Sequence, residues 1–252
     1  MSDSAINSQR YFLKDSIRKT IDFSQTDQSR GIKAPDLQKG YSPDQTIIDL
    51  PKKEQWTSIK DVAVCSAIER RESRRIYNEK PIKLDELSFL LWATQGIRRP
   101  IDAGHALRTV PSAGCRHSFE TYILVFNVAG LEEGIYRYLP VGHSLVFERC
   151  SEGLAQKITA ASFGQSFIGR AAAVFVWSAI PYRMEWRYDM AAHRVIAMDA
   201  GHVCQNLYLA CEAIDSGTCA IGAFDQEKMD RLIDVDGTDE FVIYMAPVGK
   251  IE

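Results

Sequence analysis

The sequence predicts one α+β domain in which helices pack on a mixed sheet, and three observations predict it. Segments such as FETYILVFNV, AAAVFVWSAI and FVIYMAPVG are mostly apolar at both alternating sets of positions, the pattern of strands buried on two faces. GIYRYLP and SLVFER, joined through VGH, alternate like the two arms of a hairpin. Ile196, Ala200, Val203, Leu207, Ala210 and Ile214 recur at helical intervals, and Gly217 follows the end of that run. Hairpins mixed with helical crossovers make one domain of helices against a sheet.

Residues 1–56 are polar and turn-rich, with isolated apolar anchors at Tyr11, Phe12, Ile47, Ile48 and Leu50. A stretch without periodicity has no core of its own, so an extended arm lying over a main domain of residues 57–252 is expected. Val62, Cys65 and Ile68 predict a helix over about 58–71. SRRIYNEKPI then leaves the helix, because β-branched and aromatic residues precede a proline. A second helix over about 85–95 carries Leu87, Leu90, Leu91 and Thr94 on one face, acids in its first turn and Gly96 at its end. Further on, Ser151 is the expected cap of a helix reaching about Ser162. The long helix spans about 191–215, and its other side carries small residues including Gly201 and Cys204, so it wants partners on more than one side. A short strand at TCAIG, a helix over 226–233 and the strand FVIYMAPVG complete the chain.

Composition narrows the partners. With 30 basic and 33 acidic residues interspersed over 252, the net charge of −3 offers no basic field for nucleic acid and no polybasic patch for a membrane. The first twenty residues contain no apolar signal core. The longest apolar run, Ala171 to Ile180, falls far short of the ~20 residues that cross a bilayer. Cysteines 65, 115, 150, 204, 211 and 219 form no C-x-x-C pair and no zinc spacing with the histidines, as expected of reduced thiols in a cytoplasmic protein without a metal site. A small-molecule partner remains.

Two stretches can hold one. In RTVPSAGCRHSFETY, Pro111, Ser112, Ala113 and Gly114 have almost no side chain, so a flat ring can lie against their backbone; the same residues also read as an ordinary turn. In an extended segment Arg71, Ser73 and Arg75 share one face at roughly 6.6 Å spacing, an arrangement suited to a phosphate dianion. They equally read as a solvated cluster offset by Glu69 and Glu72. GTCAIG at 217–222 has P-loop glycines without the Lys and Ser/Thr, GQSFIG at 164–169 is a poor hydrolase elbow, and no GxGxxG follows a strand. Cys115 and His117 are a nucleophile–base pair only if the histidine can serve from the same strand. His143, His193 and His202 carry no such signal.

Taken in order, RRESRRIY, LSFLLWATQGI, RTVPSAGCRHSFETY, GIYRYLP, DAGHVCQNLYLACEAIDSGTCAIGAFD and IYMAPVGK resemble the nitroreductase-like flavoproteins over about residues 60–250. Within them the chain resembles the branch that includes the dehydrogenases of thiazole- and oxazole-modified peptides. The resemblance implies a nitroreductase-like fold with a mainly antiparallel central sheet, FMN as cofactor, and a homodimer with FMN at the subunit interface. It implies that Arg71, Ser73 and Arg75 meet the phosphate and ribityl chain, and that Pro111, Ser112 and Ala113, with Gly114 and Cys115, lie beside the isoalloxazine of the partner subunit. It further implies that Ala220, Ile221 and Gly222 line the ring's other edge, and that Lys250 is a basic phosphate contact. The activity implied is hydride transfer from NAD(P)H, or another donor, through flavin N5 to a flat organic acceptor in ping-pong fashion, with Tyr188 as candidate proton donor. An oxygen-using azoline-type dehydrogenase and a non-catalytic flavin store are the alternatives. Two departures stand out: Cys115 replaces a common asparagine, and Arg187 with Tyr188 falls near a Lys-Tyr pair of the peptide-modifying relatives, although arginine keeps its proton.

Overall fold

The computed structural model describes residues 3–251. Along the chain run α1 (Asp3–Phe12), β1 (Ile47–Asp49), α2 (Val64–Arg70), α3 (Leu84–Gln95), β2 (Ile97–Asp102) and β3 (His105–Arg108). They are followed by β4 (Phe119–Val125), β5 (Gly134–Leu139), β6 (Ser144–Arg149), α4 (Leu154–Ala161), β7 (Ala173–Ala179) and α5 (Tyr182–Tyr188). The chain ends with α6 (Ala192–Glu212), β8 (Ser216–Thr218), α7 (Gln226–Ile233) and β9 (Phe241–Lys250).

Seven strands form one sheet in the order β1-β6-β5-β4-β7-β9-β8, and every paired strand in it is antiparallel. The isolated bridges Ser73–Thr218 and Ile82–Val128 are parallel. The fold is therefore α+β around a mixed, mainly antiparallel sheet. Alternation along β4 explains its burial on both faces. Ile123 and Val125 join a core with Leu87, Leu90 and Leu91 of α3 and Val203 and Leu207 of α6. Tyr122 and Leu124 point the other way, into a core with Leu154 and Ile158 of α4 and Met229 and Leu232 of α7. Helices thus cover both faces of the central strands, which is why β4 and β7 are buried throughout.

Several elements differ from expectation. The predicted helix over 58–71 shortens to α2, because Thr57 and Ser58 donate their amides to the Asp85 carboxylate and Lys60 donates to Ala213 O. These non-local bonds tie the backbone of residues 57–60 to α3 and to the end of α6, and the helix begins only at Val64. The stripe read as inward is also turned out: Cys65 and Ile68 are exposed, and Ala67 is the buried residue. Ser151 does not cap α4, whose N-cap is Gly153 in a left-handed conformation. TCAIG supplies only Thr218 to β8, and Ile221 forms an isolated bridge to Met245. The helices α1 and α5, strand β1 and the β2–β3 hairpin were not foreseen. Each is short, and IRRPID in β2 is polar and mostly exposed, so the usual period is absent.

Segment 35–40 lies along the sheet and is held by its backbone. Arg108 Nη2 donates to Leu37 O at 2.6 Å, and Arg137 donates to Lys39 O and Gly40 O at 3.0 and 2.8 Å. Lys39 Nζ pairs with Glu240 at 2.7 Å, and Lys39 N–H donates to Glu120.

Candidate functional site

Beyond α2 the chain runs extended past the edge of the sheet, tied by Arg74 N–H to Thr218 O at 2.9 Å. Gly217 permits this approach, since a Cβ there would lie 2.5 Å from Arg74 Cβ. Extension puts Arg71, Ser73 and Arg75 on one side, as their spacing requires. Arg74, on the opposite side, pairs with Glu72 at 2.6 Å. Among the described residues neither Arg71 nor Arg75 has a carboxylate partner. Their guanidiniums instead rest 5.4 Å from the Tyr208 ring and 5.9 Å from the Phe167 ring. Aromatic faces orient a guanidinium and leave its N–H fork free for an oxyanion.

Tyr208 of α6 joins this segment to the loop after β8. Its hydroxyl oxygen accepts the Ala220 N–H at 2.8 Å and lies 2.8 Å from Ser73 Oγ. Either hydroxyl can donate in the Ser73–Tyr208 bond; when Tyr208 donates, the Ser73 proton is left for a ligand. Ile221 is pinned by reciprocal bonds with Met245, and Gly222 next to it has no atom closer than 3.8 Å to where a Cβ would stand. Arg71, Ser73, Arg75, Ala220, Ile221 and Gly222 thus form one connected wall.

The second wall is the turn 111–117. Gly114 (φ 60°, ψ 19°), Cys115 (φ 55°) and His117 (φ 48°) all take positive φ, a costly choice for the two non-glycine residues. The turn is held from inside. Ser112 Oγ accepts the His117 N–H at 3.0 Å, and Cys115 N–H donates to Ser112 O. Buried Arg116 donates to Arg183 O and Gly104 O at 2.8 and 2.9 Å. His117 Nε2 lies 3.1 Å from Ala106 O, and burial pushes its pKa down to about 3. With its pKa held that low, the imidazole is too weak a base to activate Cys115. Pro111 is exposed and Ser112 to Cys115 are half-buried, so the turn faces outward. A Cβ on Gly114 would stand 2.8 Å from Tyr188 Oη and 2.9 Å from Arg187 Nε, which brings the Arg187–Tyr188 pair onto this turn.

The sequence profile of the nitroreductase family matches residues 68–250. The chain belongs to the nitroreductase family. It is accordingly an oxidoreductase. It is 32% identical over 196 residues to the Putative nitroreductase MJ1384 of Methanocaldococcus jannaschii, a match covering 78% of this chain and 95% of that one. The Trifolitoxin-processing protein TfxB of Rhizobium leguminosarum bv. trifolii is 29% identical over 66% of this chain, which spans 46% of TfxB. Among solved structures, a putative nitroreductase from Ralstonia eutropha JMP134 superposes with a TM-score of 0.68 at 26% identity, covering 85% of this chain and 96% of that one.

Within this member of the family the two walls are separate. Tyr208 lies nine residues along α6 from Asp199, which faces Ser112, a rise of roughly 13 Å at 1.5 Å per residue. Lys250 joins neither wall: its ammonium donates to Glu86 at 2.6 Å and to Ile214 O at 2.5 Å. Sequence reasoning singles out neither Tyr208 nor Asp199, both of which lie within the long helix. For Tyr208 the only signal was a hydroxyl on an otherwise apolar face. A hollow of about 580 Å³ among Arg149, Lys157, Lys228 and Arg231 shares no residue with either wall. No helix among the described residues is long and apolar enough to cross a membrane.

Proposed function

We propose that the protein is an FMN-dependent oxidoreductase that takes electrons from NAD(P)H, or another donor, and delivers them to a flat organic acceptor. The observation that carries this reading is the chain Ser73–Tyr208–Ala220, which links the arginine segment to the loop 220–222 through two bonds of 2.8 Å. Arg71 and Arg75 hold the phosphate, and the Ser73 hydroxyl donates beside them. Lys250, committed to Glu86, adds charge at a distance rather than a direct contact. Ala220, Ile221 and Gly222 line one edge of the ring, and Pro111, Ser112, Ala113, Gly114 and Cys115 form the shelf on which a partner's ring lies. FMN, when bound, supplies the two-electron redox chemistry. The chain orients it, excludes water at the shelf and, through Tyr188, keeps a hydroxyl within reach of it.

A homodimer follows from the separation of the two walls. The exposed side of α6 carries Ala197, Met198, Gly201 and Gln205, and nothing lies within 4 Å of where a Cβ would stand on Gly201. Small residues there let a second α6 approach closely, bringing one protomer's shelf to the other's arginines. Residues 57–252 are the flavin-binding unit in this reading, and residues 1–56 the arm that braces it.

TfxB favours a second reading, an FMN-dependent dehydrogenase acting on a modified peptide. Arg187 stands there as a guanidinium charge where a lysine could serve as a base. Absorption spectroscopy of the purified protein tests both. A flavin spectrum bleached anaerobically by NADH or NADPH is expected, with a dimer in sedimentation. A colourless protein that cannot be reconstituted with FMN overturns both readings, and a yellow protein that no donor bleaches points to flavin storage.

A further inference from the structure

The end of α5 leaves two sets of donors unspent at the shelf. Arg187 and Tyr188 are half-buried, and among the described residues neither side chain makes a hydrogen bond or an ion pair. None of their nitrogen or oxygen atoms is among the sealed, unpaired polar atoms of the interior, so these groups are unpaired and open to solvent. The guanidinium lies 5.5 Å from the centre of the Tyr188 ring, which orients it and leaves its N–H fork free. Glycine at 114 lets the pair approach the turn, since a Cβ there would stand 2.8 Å from Tyr188 Oη and 2.9 Å from Arg187 Nε. Directly after them Asp189 takes φ 49° and ψ −139°, a costly conformation for a residue with a side chain, and turns the chain from α5 towards α6.

An arginine in the last turn of a helix ordinarily serves the helix, by donating to its final carbonyls or pairing with a nearby acid. Arg187 does neither. The cap of α5 is the Asp189 N–H on Glu185 O, the Glu185 carboxylate is 2.7 Å from His193, and Asp189 Oδ1 accepts the Met190 N–H at 2.6 Å. Behind the turn Arg116 is committed to carbonyls, and its pKa is lowered by burial first and then by Arg183 and Arg187. The rim of the shelf is thus cationic, with no carboxylate of the chain paired to Arg187. A planar guanidinium with a free fork, and a hydroxyl beside it, match a carboxylate. We propose that Arg187, with the Tyr188 hydroxyl, determines acceptor specificity by binding an anionic group, so that the substrate class is a flat ring bearing a carboxylate. The role of the ring rests on the flavin reading; the anion contact itself does not.

Titration calorimetry of the FMN-loaded protein with 4-nitrobenzoate and its neutral isostere 4-nitrobenzamide tests this. Wild type is expected to bind the acid about 10- to 100-fold more tightly than the amide, as hydrogen bonds to a charged group imply. In Arg187→Gln that ratio is expected to fall towards one. Arg187→Lys, which keeps the charge without the fork, should give an intermediate ratio, and Arg74→Ala, which removes a charge paired with Glu72 away from the turn, the wild-type ratio. The rates at which the two compounds reoxidise photoreduced flavin should differ in the same order. Equal affinities in wild type, binding of neither compound, or an acid preference that survives Arg187→Gln overturns the proposal. So does an Arg187→Gln variant that keeps the preference and releases FMN faster, because the guanidinium then serves the cofactor. A protein that takes up no FMN overturns the flavin reading instead, and the same titration of the colourless chain still decides whether Arg187 binds an anion.

Discussion

Two arginine pairs flank the two walls, and they behave as opposites. Arg108 and Arg116 bracket the shelf and are 3% exposed, donating to Gln95 Oε1 and to the carbonyls of Leu37, Gly104, Pro35 and Arg183, with Arg108 Nε left unpaired. Burial, with Arg183 nearby, lowers the Arg108 pKa to about 10. Arg71 and Arg75 lie on an extended edge, Arg75 exposed and Arg71 half-exposed, resting on aromatic rings with their forks open. The first pair serves the fold by capping backbone carbonyls. The second pair contributes little to the fold and is free to recognise an anion. Both pairs carry the same charge, so accessibility is what makes an arginine a ligand rather than a brace.

Glu120→Gln attacks the bracing side most directly. Glu120 pairs with Arg183 at 2.5 Å and Arg137 at 3.6 Å, all nearly fully buried. Its loss strands the buried Arg183 guanidinium, whereas Arg137 keeps Glu148, and is expected to cost about 3–5 kcal/mol in denaturant unfolding. A cost under about 1 kcal/mol would break the contrast drawn above. Next comes acid. His117 is held neutral with a pKa near 3, while the unfolded imidazole protonates around 6.5, so stability present at neutral pH is lost as pH falls below that unfolded value. Relative to His117→Gln, wild type should lose about 3 kcal/mol between about pH 7 and pH 4. The recognising side responds in binding instead. Arg75→Ala is expected to weaken FMN by about 1.5–3 kcal/mol, measured by equilibrium fluorescence, with unfolding unchanged within about 0.5 kcal/mol. Unchanged affinity would remove Arg75 from the phosphate site. Gly114→Ala, placed at φ 60° against Arg187 and Tyr188, should cost about 1–2 kcal/mol in thermal unfolding. Arg74→Ala, whose partner is the exposed Glu72, is expected to change stability by less than about 0.5 kcal/mol and binding not at all.

Legibility followed periodicity. Elements with a strong period, α3, α6, α7 and the strands β4, β5, β6, β7 and β9, stand close to their expected positions, because a buried face repeats at 2 or 3.6 residues whatever surrounds it. The short helices and the β2–β3 hairpin lack such a repeat. α2 was misread because the amides of residues 57, 58 and 60 bond to Asp85 and Ala213, partners far away in sequence. At the site, RxSxR was visible as residue types and AIG only through the family resemblance, and Tyr208 ties Ser73 of the one to Ala220 of the other. Lys250, a phosphate contact only by the resemblance, donates to Glu86.

From the sequence alone came the α+β class, the strands and main helices, the family resemblance and the two stretches able to hold a ligand. These rest on local pattern and residue chemistry, which a linear chain displays directly. Tertiary structure alone decided that Tyr208 ties Ser73 to Ala220, that Arg108 and Arg116 are braces while Arg71 and Arg75 stay open, and that one carboxylate oxygen of buried Asp199 has no partner. Hydrogen-bond partnership and desolvation depend on what the rest of the chain places within a few ångströms, and no spacing in the sequence encodes that.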